Sequence, residues 1–338
     1  MWLRTTQPSV LGEGWGLDMA DATAQNRIGV LGATSLVGAC LLPLLTEAGW
    51  QVTAFSRRAV EKLDDGVKWR QLPLAECPFL QSSDKTTSHS ARRSEDGSQV
   101  AGFPQKGEEV MPYWICVAPI WVLPDYFGLF DAQGARRVVV VSSTSRFTKD
   151  DSTDPEEQAI ALRLVDAETR LQEWAESRGV EWVILRPTLI YGLGRDKNIA
   201  EIARFIHRFS FFPLFGKATG LRQPIHATDV AGACLAALQA PCAANRAYNI
   251  SGGETLTYRD MVVRVFSVLD RRLRLLTVPL WAFRLVVAML RHLPRYRQWS
   301  TAMVERMNRD LVFDHAEAAQ DLGFKPRAFV LAAGDLPT

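Results

Sequence analysis

The sequence predicts an α/β protein: a doubly wound parallel sheet followed by a smaller mixed α/β region. Two observations carry that prediction. Short apolar runs alternate with helix-length amphipathic segments from residue 27 to residue 186, and one of them, residues 137–141, is a nearly unbroken valine run. Alternation of this kind implies strand-helix-strand units with right-handed crossovers, and an all-apolar strand implies a central position covered on both faces. With 338 residues, 47% hydrophobic and 22% charged, the chain is long enough to bury a large core.

The first unit is the most informative. Residues 27–31 read as a buried strand, a glycine-rich turn follows, and residues 36–48 place Leu41, Leu44 and Leu45 at helical spacing, with Pro43 expected to distort the helix. Gly49 ends the helix and residues 51–55 begin a second strand. Such a turn cradles a dinucleotide: Gly32 permits the tight bend, the amides opening the helix face a pyrophosphate, and Gly38 lets helix and strand approach. Gly32, Thr34, Ser35, Leu36, Val37 and Gly38 are therefore the expected cofactor-binding residues. At the end of the second strand, where an acidic residue would bond the ribose 2′-hydroxyl of NAD, the chain has Ser56, Arg57 and Arg58. Two guanidiniums and a hydroxyl suit a 2′-phosphate, so NADP is the expected cofactor and NAD the alternative.

Further strands are expected at 67–72, within 111–120, at 137–141 and at 181–186, with a short helix near 125–133 and a long one over 154–178 closed by Gly179. Residues 81–109, rich in Ser, Thr, Lys, Gly and Asp, read as a mobile surface insertion, and residues 1–26 as a disordered leader in which Met19 is a second candidate start. The expected division is a nucleotide-binding domain at 27–190 and a substrate-side region with C-terminal helices at 191–338. In the latter, helices are expected at 199–209 and 230–239 and short strands near 224–226 and 247–250.

Composition narrows the function classes. Thirty-nine basic against 37 acidic residues leave a net charge of +2, which argues against a nucleic-acid partner. Five scattered cysteines and five dispersed histidines show no metal-ligand or CxxC spacing, so no metal is expected. With no secretory signal pattern at the start, the expected location is cytoplasmic. Residues 280–297, LWAFRLVVAMLRHLPRYR, have the composition of an interfacial amphipathic helix; packing on its own domain, on a second copy in a homodimer, or against a membrane surface are the readings open for it. Arg271, Arg272 and Arg274 add local positive charge that suits an anionic substrate, a lipid or plain solvation.

Five signatures occur in one order: GATSLVG at 32–38, VVVVSSTS at 138–145, ILRPTLIYGLG at 184–194, RQPIHATDVAGA at 222–233 and YNISGGETLTYRDMV at 248–262. Together they resemble the extended short-chain dehydrogenase/reductase superfamily, in the branch of NAD-dependent epimerases and dehydratases, over about residues 27–265. The resemblance implies a Rossmann-type sheet. It also implies that Ser143 is the active-site serine orienting a small-molecule substrate, that the segment Arg186, Pro187 and Thr188 packs beside the nicotinamide, and that Arg222 meets a substrate phosphate. Ser35 replaces the family's middle glycine, and His226 and Asp229 match a segment expected to be structural. One departure is large. The family's YxxxK helix supplies a tyrosine and a lysine for proton transfer, whereas alignment on Glu168 puts Ile160 and Leu164 at those positions, and no tyrosine lies between Tyr126 and Tyr191. Lys149, Thr148, Asp166 and Glu168 are the remaining donor candidates. Two readings follow: an atypical NADP-dependent oxidoreductase or epimerase-like enzyme, or a catalytically silent NADP-binding sensor or assembly protein.

Overall fold

The structure, a computed structural model, describes residues 26–57, 66–72, 110–148, 155–279 and 307–337. The leader to residue 25, the insertion at 81–109, Arg58, Cys77, Lys149 and the stretch 280–297 lie outside the described residues.

Seven parallel strands form the central sheet. They are β1 (Arg27–Leu31), β2 (Gln51–Ser56), β3 (Lys68–Gln71), β4 (Tyr113–Cys116), β5 (Arg137–Val141), β6 (Glu181–Pro187) and β11 (Arg246–Ile250), in the order β11-β6-β5-β4-β1-β2-β3. Helix α1 (Leu36–Glu47) joins β1 to β2, and runs through Pro43, whose ring sits on the exposed side. A 3₁₀ turn (Ile120–Tyr126) and α2 (Phe127–Ala132) join β4 to β5, and α3 (Pro155–Arg178) leads into β6. The predicted Rossmann-type sheet is thus present. The chain runs outward from β1 to β3 and then returns to β4 on the other side of β1, so the carboxyl ends of β1 and β4 flank the topological switch point, where such sheets bind ligands.

Both faces of the sheet are covered, for the reason the valine run suggests. Val139 joins a core cluster with Leu41 and Leu45 of α1 and Val230 and Cys234 of α5 (Ala227–Gln239), while Val138 and Val140 join Trp114, Phe130, Leu164 and Leu171 on the opposite face. Each fully buried leucine or valine there contributes about 2 kcal/mol relative to an exposed one.

The region after residue 190 is not a separate layer throughout. Strand β11, which the sequence division assigns to the substrate side, pairs in parallel with β6 from Arg246↔Val183 to Ile250↔Pro187, and α5 packs on α1. Arg137 ties this return to the sheet by donating to the carbonyls of Leu238 and Ala240 at the end of α5, at 3.0 and 2.6 Å. Between these pieces stand three small pairings. β7 (Ile190–Tyr191) meets β10 (Ile225–His226), β9 (Leu221–Arg222) meets β12 (Leu256–Thr257), and β8 (Phe212–Phe215) meets β13 (Leu275–Val278). With α4 (Ile199–Phe209) and α6 (Tyr258–Val268) they enclose a third core around Tyr191, Ile206, Met261, Phe266 and Phe329.

Residues 307–337, which include α7 (Ala316–Leu322), strap these elements together. Asp321 pairs with Arg246 and accepts from Tyr248 Oη at 2.8 Å, Arg327 pairs with Asp229 at 2.8 Å, and the Phe329 amide donates to Glu254, itself paired with Arg264. His226 and Asp229 serve this strap, as expected of a structural segment. His226 Nε2 lies 3.0 Å from Asp335, while its Nδ1 accepts from the Thr228 amide at the start of α5.

Candidate functional site

The glycine turn is shaped by close approach. Gly32 has φ +79°, and a Cβ there would lie 2.4 Å from the amide nitrogen of Ala118, which follows β4. A Cβ on Gly38 would lie 2.3 Å from the Ala33 carbonyl oxygen. Any side chain at either position would therefore force the switch-point crevice open. Ser35 has a local reason of its own: its Oγ accepts from the Gly38 amide at 3.0 Å, capping α1. Thr34 is exposed and Leu36 half-buried, Val37 is buried, and the first turn of α1 carries no acidic residue. An uncovered helix N-terminus without acidic neighbours fits a pyrophosphate. Arg195 adds a cation, its Nη2 donating to the Thr34 carbonyl at 3.1 Å. Sequence reading missed Arg195, since 161 residues separate the two. At the far end, Ser56 is buried and Arg57 exposed, and Gln71 Nε2 donates to the Arg57 carbonyl at 3.3 Å.

Beside the turn, Glu168 on α3 organises a polar cluster inside the sheet edge. It is 1% exposed. Ser142 Oγ donates to its Oε1 at 2.5 Å, Arg186 Nη2 reaches Oε2 at 2.6 Å, and Arg146 pairs with the same oxygen. Both guanidiniums lie against the Phe147 ring, at 5.1 and 5.4 Å from its centroid. Burial pushes both arginines below their ordinary pKa, and for Arg146 the neighbouring Arg186 charge adds to the shift. A carboxylate engaged by two guanidiniums and a hydroxyl acts as an acceptor, which sets Glu168 apart from the role of proton donor. Asp166 is exposed, 3.9 Å from Arg170. Ile160 packs on the core at half burial and Leu164 is 3% exposed within it, so neither position on α3 presents a titratable group.

A cavity of about 850 Å³ opens next to this cluster. Ser143, Thr188 and Arg222, all named from sequence, line it together, along with Thr144, Ser145 and Thr148. Ser143 precedes a 3₁₀ turn (Thr144–Phe147) and its Oγ accepts from the Ser145 amide at 3.1 Å, leaving its O–H to donate to a ligand. Thr144 Oγ1 donates to the carbonyl of Pro187, a buried residue, at 3.1 Å, and Thr188 Oγ1 donates to the Gln223 carbonyl. Arg222 is 4% exposed, bonded to the carbonyls of Leu221 and Arg309 at 2.6 and 2.7 Å and stacked 5.8 Å from the Tyr258 ring centroid. Lys197, Arg204 and Arg208 add positive charge, partly offset by Glu201, which pairs with Arg204 at 2.7 Å, and Phe205, Phe212 and Phe313 supply aromatic wall. Arg309 also reaches across to the Thr148 carbonyl at 3.4 Å, so the strap closes one side of the cavity onto the sheet.

Known proteins share this architecture. Residues 127–251 match the family model described as NAD dependent epimerase/dehydratase family. The chain is 25% identical over 203 residues to UDP-glucose 4-epimerase of Vibrio cholerae, covering 57% of this chain and 59% of that protein. It is also 25% identical over 118 residues to NADH dehydrogenase [ubiquinone] 1 alpha subcomplex subunit 9, mitochondrial, of Arabidopsis thaliana, covering 35% and 29%. The matched segments thus span less than two thirds of the length of these relatives. Among solved structures, UDP-glucuronic acid 4-epimerase from Bacillus cereus in complex with NAD superposes with a TM-score of 0.60 at 12% identity, over 91% of this chain and 95% of that one. The family-model match thus covers the segment from α2 to the end of β11, and the seven-stranded sheet is the fold that the solved structure shares.

Proposed function

We propose that the protein binds a nicotinamide dinucleotide, NADP in preference to NAD, and acts as an atypical oxidoreductase or epimerase-like enzyme on a small anionic molecule of the sugar-nucleotide class. The observation that carries this reading is the open cavity beside Ser143, lined by Thr188 and Arg222 and bordered by basic and aromatic side chains. A bound nicotinamide supplies reversible two-electron redox chemistry. The chain's own part is placement. The Gly32–Gly38 turn and Arg195 hold the pyrophosphate, Ser56, Arg57 and Arg58 take the 2′-phosphate, and Pro187 and Thr188 flank the nicotinamide. Ser143 donates to the reacting oxygen of the substrate, and Arg222 meets its phosphate. Thr148, which lines the cavity with Ser143, and Lys149, next in the sequence, are the donor candidates left.

A second reading, a catalytically silent NADP-binding sensor or assembly protein, draws on one observation. The helix that should carry the proton relay presents Ile160 and Leu164, and its buried carboxylate is engaged by Arg146 and Arg186. The similarity to a respiratory-complex subunit favours the same reading.

Titration with NADPH and NADH, followed by turnover assays over a panel of carbonyl compounds and nucleotide sugars, separates the two. Binding with turnover that falls about a hundredfold in Ser143→Ala, at unchanged NADPH affinity, supports the enzyme. Binding without turnover supports the sensor, and no binding of either nucleotide overturns both.

A further inference from the structure

A surface adjoining the cavity, whose lining includes Arg208 and Phe209, extends outward into residues that neither reading uses. Phe209, Leu273 and Leu276 are 49%, 50% and 54% exposed. They form one surface. Phe209 lies 6.3 Å from Phe211 by ring centroids, Phe211 shares a shallow depression of about 290 Å³ with Leu275 and Leu276, and the Phe212 amide bonds to the Arg274 carbonyl at 2.9 Å. The pairing of β8 with β13 fixes this arrangement, setting Leu276 opposite Pro213.

The rim is basic. Arg271, Arg272 and Arg274 are exposed beside Leu273, and Arg208 lies over the Phe209 ring at 5.5 Å; Asp270 is the acidic residue adjoining them in the chain. Large exposed apolar side chains ringed by positive charge are the chemistry of a surface that meets anionic headgroups above acyl chains. Charge also weighs against a second copy as the occupant. A two-fold dimer through this face would bring the arginine rim against itself and pair like charges. The sequence that continues from β13 keeps the same mixture of apolar residues and arginines through residue 297. Among the described residues no helix is long and apolar enough to cross a membrane.

We propose that the face formed by the end of α4, β13 and the Arg271–Arg274 turn docks the protein on an anionic lipid bilayer. The inference is independent of the reaction catalysed.

The test is flotation of the full chain with vesicles of phosphatidylcholine alone and of phosphatidylcholine with about one-third phosphatidylglycerol. The expected result is capture by the anionic vesicles only, lost at high salt as charges are screened. Each basic residue near such a surface is worth about fivefold in partitioning. Arg271→Glu with Arg272→Glu and Arg274→Glu should therefore cut capture by at least about a hundredfold. Leu273→Ser with Leu276→Ser should cut it severalfold, both variants keeping the wild-type thermal transition. No capture by anionic vesicles, equal capture by neutral ones, or full capture of both variants overturns the proposal. So does a wild-type dimer in light scattering that either variant dissolves, since that assigns the face to a second copy.

Discussion

The glycine turn after β1 and the middle of α3 lie on the same sheet, and they handle polar groups in opposite ways. At the turn, backbone does the work: Gly32 and Gly38 leave no room for side chains, and Ser35 caps α1 by accepting from the Gly38 amide. On α3 the polar groups are side chains, and they are spent on one another, with Glu168 engaged by Ser142, Arg146 and Arg186 while Ile160 and Leu164 face the core. Polar contacts at the turn are thus local, whereas those of Glu168 join separate segments of the chain, so the two regions can change independently.

The largest test of that contrast is Glu168→Ala. If Glu168 is scaffold, removing it leaves two half-buried guanidiniums without their carboxylate and should destabilise the fold by about 3 kcal/mol in chemical denaturation. A loss of turnover with the folded state's stability unchanged would instead place Glu168 in the chemistry. Next comes Gly32→Ala. A Cβ at φ +79° and 2.4 Å from Ala118 should cost about 2 kcal/mol of stability and abolish nucleotide binding in a fluorescence titration. Retained binding would show that the turn is a plain connection.

Arg57→Ala with Arg58→Ala sharpens the cofactor side. Loss of charge-assisted bonds to a 2′-phosphate should weaken NADPH about thirtyfold and NADH by less than about threefold. Equal weakening would remove the 2′-phosphate from the account. The smallest effect concerns the strap. The hydrogen bond from Arg264 holds the Glu254 carboxyl below its ordinary value of 4.5. A lowered folded pKa means that the contribution is present at neutral pH and is lost as the pH falls from 4.5 through the lowered value. Glu254→Gln should then cost about 1 kcal/mol at pH 7 and almost nothing below the lowered value, in unfolding curves taken across that range.

Much of the fold was legible in the sequence because it is encoded locally. The strand at Arg27–Leu31, the helix at Ile199–Phe209 and the valine strand at Arg137–Val141 were readable from apolar periodicity and turn residues over ten or so positions. The short pairings were harder. Strands of two residues, such as Ile190–Tyr191 with Ile225–His226, carry too little pattern to announce a partner. Strand Arg246–Ile250 was visible as a strand, but its place beside β6 in the main sheet was not.

The division is sharpest in the site. Sequence determined the glycine turn, the Ser143 segment, the Arg186–Thr188 segment, Arg222 and the absence of a tyrosine on α3, because each is a matter of residue identity or of spacing within one segment. Which of these meet, and what each side chain has left to offer, was settled by folding. Arg195 reaches Thr34 from far along the chain, Arg309 and Phe313 wall the cavity from the C-terminal strap, and Glu168 meets one arginine from β6 and another from the 3₁₀ turn after β5. Hydrogen bonds and ion pairs depend on distances of a few ångströms between residues far apart in the chain, and those distances come into being only when the apolar core sets the strands in order.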